Sequence, residues 1–303
     1  MSFSGPKHYR EESAKSLKDR PSVRTSVTSA TDTFNANRSE AYSQINSDLW
    51  KDWARDVKSH ALTNLDQYLE QAETQLLANG AKVHWAETAH DALGLLEEIV
   101  RDHGISTAVK AKSMLSEELG INEHLEHLGV HVRETDLGEY IIQLIGEPPS
   151  HIVGPAIHRS LEDCQRLFHE KFGTPLDDGP DALAATAREA LREEFLAADL
   201  GISGGNFLVA ETGTVALIEN EGNIRLSTSL PRVHIALVGI EKIVPRLEDV
   251  SGFVQLTSRA ATGQPIGNFF SLIQGPKRDG DIDGPEEVHV ILVDNGRTRL
   301  LAD

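Results

Sequence analysis

Residues 201–245 form the longest stretch of the chain whose residue pattern predicts β-sheet. Residues 220–223, Asn-Glu-Gly-Asn, predict a turn because Asn and Gly adopt positive φ at little cost. The run 234–238 is almost entirely apolar, which is typical of a strand buried on both faces. A chain with this stretch at its centre must pack other elements on both faces of a sheet. The predicted strands of the stretch are residues 207–210, 214–218, 224–228 and 234–238.

The remainder of the chain alternates between strand and helix patterns. The β-α-β-α-β order of residues 82–132 indicates a mostly parallel sheet with helices on its faces. A hairpin is predicted at Asn295-Gly296, with residues 297–301 returning as a strand. The sequence therefore predicts an α/β fold with a mixed, mostly parallel sheet. The other predicted strands are 82–86, 105–109, 130–132, 151–153, 269–273 and 288–293, and the predicted helices or turns are 91–103, 113–119, 122–128, 161–172, 181–200 and 246–250.

The chain divides into three predicted segments. Residues 1–46 are polar, and Pro21 is expected to interrupt any helix there, so a mobile arm is predicted. The alternative is a segment that becomes ordered on a partner subunit. Residues 47–80 predict a helix that packs on the domain and ends at Asn79-Gly80. Residues 81–303 predict one α/β domain.

The charge and the cysteine content exclude several classes of function. A formal net charge of −18 argues against nucleic acid and anionic membranes as partners, because phosphate groups need a basic surface. No apolar run reaches membrane-spanning length and the N-terminus lacks a signal-peptide core, which predicts a cytoplasmic protein. The single cysteine, Cys164, excludes an internal disulfide and a four-cysteine metal or iron–sulfur site. No metal site is predicted.

A loop at the end of a predicted strand is the first candidate site. Lys110 and Lys112 precede Ser113, which is a predicted N-cap. Free backbone N–H groups at a helix start attract anions, and ligands of open α/β sheets bind at the C-terminal ends of strands. A carboxylate or phosphate site is predicted here, and an ordinary helix cap is the open alternative.

The next predicted strand is followed by three carboxylates, Glu134, Asp136 and Glu139. They are predicted to form a wall of the same cleft. A solvated acidic turn is the alternative.

The glycine-rich start of the central stretch is the third candidate. Residues 201–205 spell Gly-x-Ser-x-Gly, but the predicted helix precedes the serine and the strand follows it, which excludes a nucleophile elbow. The glycines instead let the backbone approach a ligand or enter a strand tightly. The candidate binding residues in this stretch are Gly204, Gly205, Asn206, Thr212, Gly213 and Thr214.

Glu211 is the candidate catalytic residue. Apolar strands flank it, so its pKa is expected to rise towards neutrality, as a general base requires. The alternative is a glutamate that accepts backbone hydrogen bonds at a strand bend. Arg232 is predicted to pair bidentately with a carboxylate ligand or with Glu211.

These motifs also carry a family resemblance. The chain resembles the LUD domain of lactate-utilisation proteins, in particular of the B protein, in GISGGNFLVAETGTVALIENEGN and TSLPRVHIALVGIEK. The resemblance continues in KAKSMLSEELGINEHLEHLGV, ETDLGEYIIQL, PSHIVGPAIH and GPKRDGDIDGPEEVHVILVDNGR, and covers about residues 47–300.

The resemblance implies a Rossmann-like sheet similar to the ribose-phosphate isomerase and CoA-transferase group. It also implies a subunit that acts with other lactate-utilisation subunits in oxidising L-lactate to pyruvate. In this family the B protein continues into a ferredoxin-like region that binds [4Fe–4S] clusters. This sequence has no Cys-x-x-Cys motif and stops at Asp303 directly after an apolar strand, so we expect the clusters only in a region absent here. The alternative is a stand-alone LUD protein.

Three functions remain open at this point. The first is the LUD portion of the iron–sulfur lactate oxidoreductase, with a small carboxylate or a partner subunit in the cleft. The second is an independent isomerase or CoA/acyl-transferase-like enzyme that uses Glu211 as base or nucleophile. The third is a structural assembly module.

Overall fold

The computed structural model describes residues 21–147 and 154–302, together with residues 11, 14, 15 and 18. The strands are β1 (Lys82–Ala86), β2 (Thr107–Lys110), β3 (His131–Glu134), β4 (Leu200–Ser203), β5 (Phe207–Val209), β6 (Thr214–Glu219), β7 (Val233–Gly239), β8 (Ile243–Val244), β9 (Phe269–Ile273) and β10 (Glu287–Val293). The helices are α1 (Pro21–Ser43), α2 (Ser47–Thr63), α3 (Leu65–Ala78), α4 (Ala89–Asp102), α5 (Met114–Leu119), α6 (Ile121–His127), α7 (Leu137–Ile145), α8 (Leu161–Phe172), α9 (Pro180–Ala197), α10 (Asn223–Ser229), α11 (Leu247–Thr262) and α12 (Arg297–Ala302).

Six strands form a sheet in the order β1-β10-β7-β4-β2-β3, and every neighbouring pair is parallel. The carboxyl ends of these strands therefore lie along one edge. A second sheet, in the order β8-β5-β6-β9, is mixed. The predicted α/β class with a mostly parallel sheet is confirmed, and the antiparallel pairs are confined to the second sheet.

Apolar cores cover both faces of the parallel sheet. On one face, α4, α5 and α6 pack through residues such as Leu96 and Leu125 against Ile202 and Ile235. The opposite face contacts α3 and the second sheet at one end and α7, α8 and α9 at the other. Strands β7 and β10 are buried almost throughout, which explains their nearly continuous apolar sequences.

The N-terminal segment differs from the predicted mobile arm, because residues 21–43 are helical. Pro21 begins α1 instead of breaking it, since a proline at the first helical position loses no hydrogen bond. The helix lies on α11, where Tyr42 Oη donates to the carbonyl of Leu256 and Arg259 Nε donates to the carbonyl of Ala41. These contacts join residues more than 200 positions apart.

Two predicted strands are helices. The expected strand 224–228 is α10, because both carboxylate oxygens of Glu219 accept backbone N–H bonds, from Ile224 and Arg225. A carboxylate at the start of a helix stabilises it. The expected return strand 297–301 is α12, which Asp294 caps through the N–H and hydroxyl of Thr298.

Other boundaries differ as well. The single helix expected over 47–80 is two helices, separated at Asn64, and the helix expected to end at residue 200 stops at Ala197. Leu200, the last residue of that predicted helix, instead begins β4, a strand that the sequence did not predict. The helix after Pro245 extends to Thr262. The strand predicted at 151–153 falls outside the residues described.

None of the helices in the described parts of the chain combines the length and the apolar character that crossing a membrane needs.

We expect Gly201→Ala to lower the free energy of unfolding by roughly 1–3 kcal/mol or more, because a Cβ there would meet a backbone oxygen that cannot easily shift. That Cβ would lie 1.8 Å from the carbonyl oxygen of Ser227 in α10. Urea unfolding of the purified chain measures the change.

Gly94→Ala is the matched control. Nothing lies within 4 Å of a Cβ at Gly94, which is inside α4. Alanine should stabilise the chain there by about 0.5–1 kcal/mol. Equal stability of the two variants would contradict the close packing of α10 on β4.

Candidate functional site

A cavity of about 480 Å³ opens at the carboxyl edge of the parallel sheet. We call it the edge cleft. The loops that follow β2, β3, β4, β7 and β10 form its floor, and the end of β6 with α11 forms the facing wall. Ligands of open α/β sheets bind at this edge. The polar and glycine lining residues of the edge cleft are Lys112, Ser113, Glu118, Asp136, Gly204, Gly205, Asn206, Glu219, Asn220, Glu221, Asn223, Gly239, Glu241, Lys242, Thr257, Ser258, Thr262, Gln264, Gly267 and Arg297.

Two glycines let the floor close tightly. A Cβ on Gly204 would lie 2.7 Å from the hydroxyl of Ser113, and one on Gly205 would lie 2.9 Å from a methyl of Val238. Ser113 is the N-cap of α5, as predicted, and its hydroxyl accepts from the N–H of Ser116. The glycines therefore allow the loop after β4 to lie close to the start of α5.

The cations that line the edge cleft are all ion-paired. Lys112 Nζ lies 2.5 Å from Asp136 Oδ2. Arg297 spans two carboxylates, with its Nη2 3.0 Å from Glu118 and its Nε 2.6 Å from Glu241. Lys242 lies 3.5 Å from Glu241.

The carboxylates of the edge cleft outnumber its cations, five to three, counted over the lining residues. Burial raises the pKa of Glu219 and of Glu221, and the charge of Asp136 adds to the effect at Glu221. The cleft therefore offers hydrogen-bond acceptors and donors side by side, and is not a purely basic anion site.

A buried charge cluster lies directly behind the cleft. Lys110 is fully buried, with its Nζ 3.0 Å from Glu134, 3.2 Å from Glu117 and 3.0 Å from the hydroxyl of Ser116. Burial alone would lower the pKa of Lys110, but the charges of Glu134, Glu139 and Glu117 outweigh it, so the pKa is raised. Lys110 is therefore charged at neutral pH.

Glu139 shares this cluster. Burial and the neighbouring charge of Glu134 raise the pKa of Glu139 to about 9, against the opposing effect of Lys110. The cluster thus holds a proton at pH 7, with Glu139 neutral and Glu134 paired to Lys110. Glu134 Oε1 also accepts from Asn122, at 2.5 Å. This proton lies beside the start of α7, whose N-cap Asp136 lines the edge cleft.

The structure brings most of the sequence-predicted site residues together. Six of them line the edge cleft, and three lie in the buried cluster behind it. The six are Lys112, Ser113, Asp136, Gly204, Gly205 and Asn206, and the three are Lys110, Glu134 and Glu139.

The predicted residues 211–214 do not line the edge cleft. They form the turn between β5 and β6, which packs on α3, so that a Cβ on Gly213 would lie 2.5 Å from the backbone nitrogen of Leu76. The hydroxyls of Thr212 and Thr214 bond to each other at 2.7 Å. The expectation that this turn and the loop at Lys110 share one cleft is wrong, because the turn precedes β6, whereas the edge cleft is lined by Leu217, Ile218 and Glu219 at the other end of that strand.

Glu211 is exposed, and its carboxylate accepts from the N–H of Leu247 at 2.9 Å, at the start of α11. This is the backbone-bonding alternative considered above. Arg232 lies at the opposite edge of the parallel sheet, where its Nη2 donates to the carbonyl of His103 and its Nε lies 3.6 Å from Asp199. It contacts neither Glu211 nor the edge cleft.

Sequence reasoning missed Arg297, Glu241 and Lys242 as cleft residues. They follow β10 and β7, and the rule that ligands bind at strand ends applies to them as it does to Lys110. Because a hairpin was predicted at residues 295–296, Arg297 was assigned to a returning strand and was not expected at that edge.

A second cavity, of about 630 Å³, lies between α9 and α10. Its lining is mostly apolar, with Leu191, Phe195, Leu226 and Leu230 among it. It borders the edge cleft at Glu221, and three charged residues line it, Arg188, Arg192 and Glu221, against eight in the edge cleft. We take the edge cleft as the candidate site.

The donor atoms of the chain do not fit an iron–sulfur cluster. Such clusters are held by four cysteine thiolates, and this sequence contains Cys164 alone, half-buried on α8. Burial and the charge of Asp163 raise the pKa of its thiol.

Comparison with known proteins gives consistent matches. The LUD domain family profile matches residues 69–293. The electron transport protein YkgF of Escherichia coli is 41% identical over 283 residues, which is 93% of this chain and 60% of that protein. Lactate utilization protein B of Shouchella clausii is 42% identical over 281 residues, 92% of this chain and 59% of that protein. The same protein of Oceanobacillus iheyensis is 40% identical over 296 residues, 97% and 61% respectively.

The chain therefore spans about 60% of the length of these relatives. It is homologous to proteins named for lactate utilisation and electron transport. A solved structure of a DUF162 family protein from Deinococcus radiodurans is 17% identical and covers 76% of this chain and 98% of its own, with a TM-score of 0.39.

We expect Glu139→Gln to change how stability depends on pH. The folded pKa of about 9 lies above the ordinary value of 4.5, so the folded wild type keeps a proton that the unfolded chain releases between these values. Wild-type stability relative to the variant should be greatest below pH 4.5 and fall, by on the order of 1 kcal/mol per pH unit, up to about pH 9.

Urea titrations of both proteins at several pH values between 5 and 9 measure this difference. Glutamine mimics the neutral carboxyl, so the cluster should keep its packing. Parallel pH profiles of the two proteins would show that Glu139 is ionised in the fold.

Proposed function

The chain belongs to the LUD domain family, and from this premise we propose that it is the substrate-binding part of an electron-transfer subunit that serves the oxidation of L-lactate to pyruvate. The names of the relatives support the pathway, and the edge cleft supports a binding role. We further propose that other lactate-utilisation subunits act with it. The edge cleft is the observation on which the proposal rests.

The chemistry of the cleft suits a small 2-hydroxy acid. A carboxylate ligand needs cations, which Arg297 and Lys112 supply once they exchange a protein carboxylate for the ligand. A neighbouring hydroxyl needs an acceptor, which Glu241 or Asp136 supplies. Backbone at Gly204 and Gly205 can approach such a ligand closely, because no Cβ stands in the way.

Arg297 is the better anchor of the two cations. Its planar guanidinium offers five donors in a fork that matches a carboxylate, and its position between Glu118 and Glu241 holds that fork in place. Because Glu139 is protonated, it adds no negative charge behind the cleft. A further negative charge there would repel an acid ligand.

Lactate oxidation releases two electrons and two protons, and the electrons need an acceptor. Because one cysteine cannot hold a [4Fe–4S] cluster, we propose that the clusters lie outside the residues of this chain. The contribution proposed for this chain is to bind and orient the acid.

The alternative of a stand-alone isomerase or acyl-transferase depended on Glu211 as base or nucleophile. Its carboxylate bonds to the backbone of Leu247, away from the edge cleft. No observation favours that second function.

Filling the edge cleft should abolish growth on L-lactate. Ala261 lines the cleft from α11, whereas the adjacent Ala260 is exposed and does not line it. We expect Ala261→Trp in the full-length protein to abolish lactate-dependent growth of a complementation strain, because the indole occupies the ligand's place. Ala260→Trp, with the same change in bulk, should grow as wild type.

Thermal midpoints of both purified variants control for misfolding, and calorimetric titration with L-lactate and pyruvate reports binding directly. Growth on lactate by a correctly folded Ala261→Trp protein would refute a role for the cleft.

Glu211→Gln should leave lactate-dependent growth unchanged. The substitution weakens the acceptor at the start of α11 and is expected to cost about 0.5–1 kcal/mol of stability, similar to the loss of a helix cap. A folded Glu211→Gln protein that no longer supports growth would return Glu211 to the chemistry.

A further inference from the structure

Three potential metal ligands meet at the amino edge of the parallel sheet, opposite the edge cleft. His103 is the C-cap of α4, Glu287 is the first residue of β10, and His289 follows on the same strand. One ligand atom of each lies within 4.8 Å of the other two. This cluster takes no part in the function proposed above.

The spacing matches a tetrahedral ion. Glu287 Oε2 lies 3.5 Å from Nε2 of His103 and 3.5 Å from Nε2 of His289. Ligands at about 2.0–2.1 Å from a zinc ion at tetrahedral angles are separated by about 3.4 Å. Two of the three separations therefore need little adjustment.

His289 provides an independent sign of a ligand. The residue is 3% exposed, and its Nε2 is a buried atom without a hydrogen-bond partner among the described residues. A buried polar atom without a partner is costly unless something binds it.

The other ring nitrogen of His289 is already positioned. Its Nδ1 lies 3.0 Å from Nε2 of His84 on β1, and the planes of the two rings are nearly parallel, at 9°. A hydrogen bond donated by Nδ1 leaves the lone pair on Nε2 facing Glu287. Metal-bound histidines are usually fixed in this way by a partner on the second nitrogen.

Arg232 holds the two halves of the cluster together. Its guanidinium donates to the carbonyl of His103 at 2.6 Å, and its own carbonyl accepts from the N–H of Glu287 at 3.2 Å. The role of this arginine, which the sequence placed at the substrate, is thus to join the end of α4 to the start of β10.

We propose that His103, Glu287 and His289 bind one Zn²⁺ ion, with a fourth position open to solvent. Two imidazoles and one carboxylate are a recurring zinc ligand set, and imidazole ligands select against Mg²⁺ and Ca²⁺. Glu287 is 35% exposed in its side chain, so the ion can enter from solvent. The ion would clamp α4 to β10.

Lys82 competes for the same carboxylate. Its ammonium is ion-paired with Glu287 Oε2, and its side chain is 54% exposed, so it can withdraw into water when the ion enters. Removing this cation should therefore strengthen zinc binding, which a purely structural ion pair would not predict.

The test is a competition titration of the untagged chain with ZnCl₂ against a chromophoric chelator. We expect one ion per wild-type chain. Loss of a direct ligand in His103→Ala or Glu287→Gln should weaken binding by about 100-fold or more, since loss of an outer partner alone costs about 10- to 100-fold. Lys82→Met should bind more tightly than wild type.

His127→Ala is the matched control, because His127 is an exposed histidine outside the cluster and should leave the titration unchanged. Cobalt(II) gives a second readout, with the intense visible absorption of a tetrahedral complex in wild type and none in His103→Ala. His289→Ala is avoided as the main variant because the residue is buried, and far-ultraviolet circular dichroism confirms the fold of the others.

Absence of stoichiometric zinc binding by wild type, or equal affinity in wild type, His103→Ala and Glu287→Gln, would overturn the proposal.

Discussion

The charge of Lys110 lies wholly inside the protein, and a buried ammonium costs several kcal/mol unless carboxylates compensate it closely. Glu134 comes from the end of β3 and Glu117 from α5, so this single charge requires both elements to converge at the end of β2. Neutral Glu139, from α7, joins them through a hydrogen bond to Glu134. The start of α5 and the cap of α7 are thereby fixed, and both line the edge cleft. The geometry of the cleft thus depends on an ion pair that does not itself line the cleft.

Much of the parallel sheet could be predicted from sequence because its buried strands are rich in apolar residues. The run 234–238 lies within β7, and the candidate residues Lys112, Ser113 and Asp136 follow from the rule that ligands meet the carboxyl ends of strands. Ser113 caps α5 through its own side chain, which is a local signal. These successes concern features decided by a few neighbouring residues.

The failures concern features decided at longer range. Asn295 and Gly296 make a turn with positive φ, but the sequence does not say whether a strand or a helix follows, and Asp294 decides for the helix. Glu211 was predicted to be a base because the strands beside it in sequence are apolar. Those strands are buried in the second sheet, whereas the carboxylate of Glu211 is exposed. The position of Arg232 could not be predicted without knowing at which edge of the sheet β7 begins.

The arrangement of the first and last elements has a consequence for synthesis. The first strand, β1, lies at the edge of its sheet beside β10, and α1 docks on α11, so both early elements find their partners near the end of the chain. During translation these segments cannot form their contacts until some 200 further residues have been synthesised, because their partners lie that far along the chain. The helix α1 and the strand β1 therefore remain without these contacts on the ribosome until α11 and β10 have been synthesised.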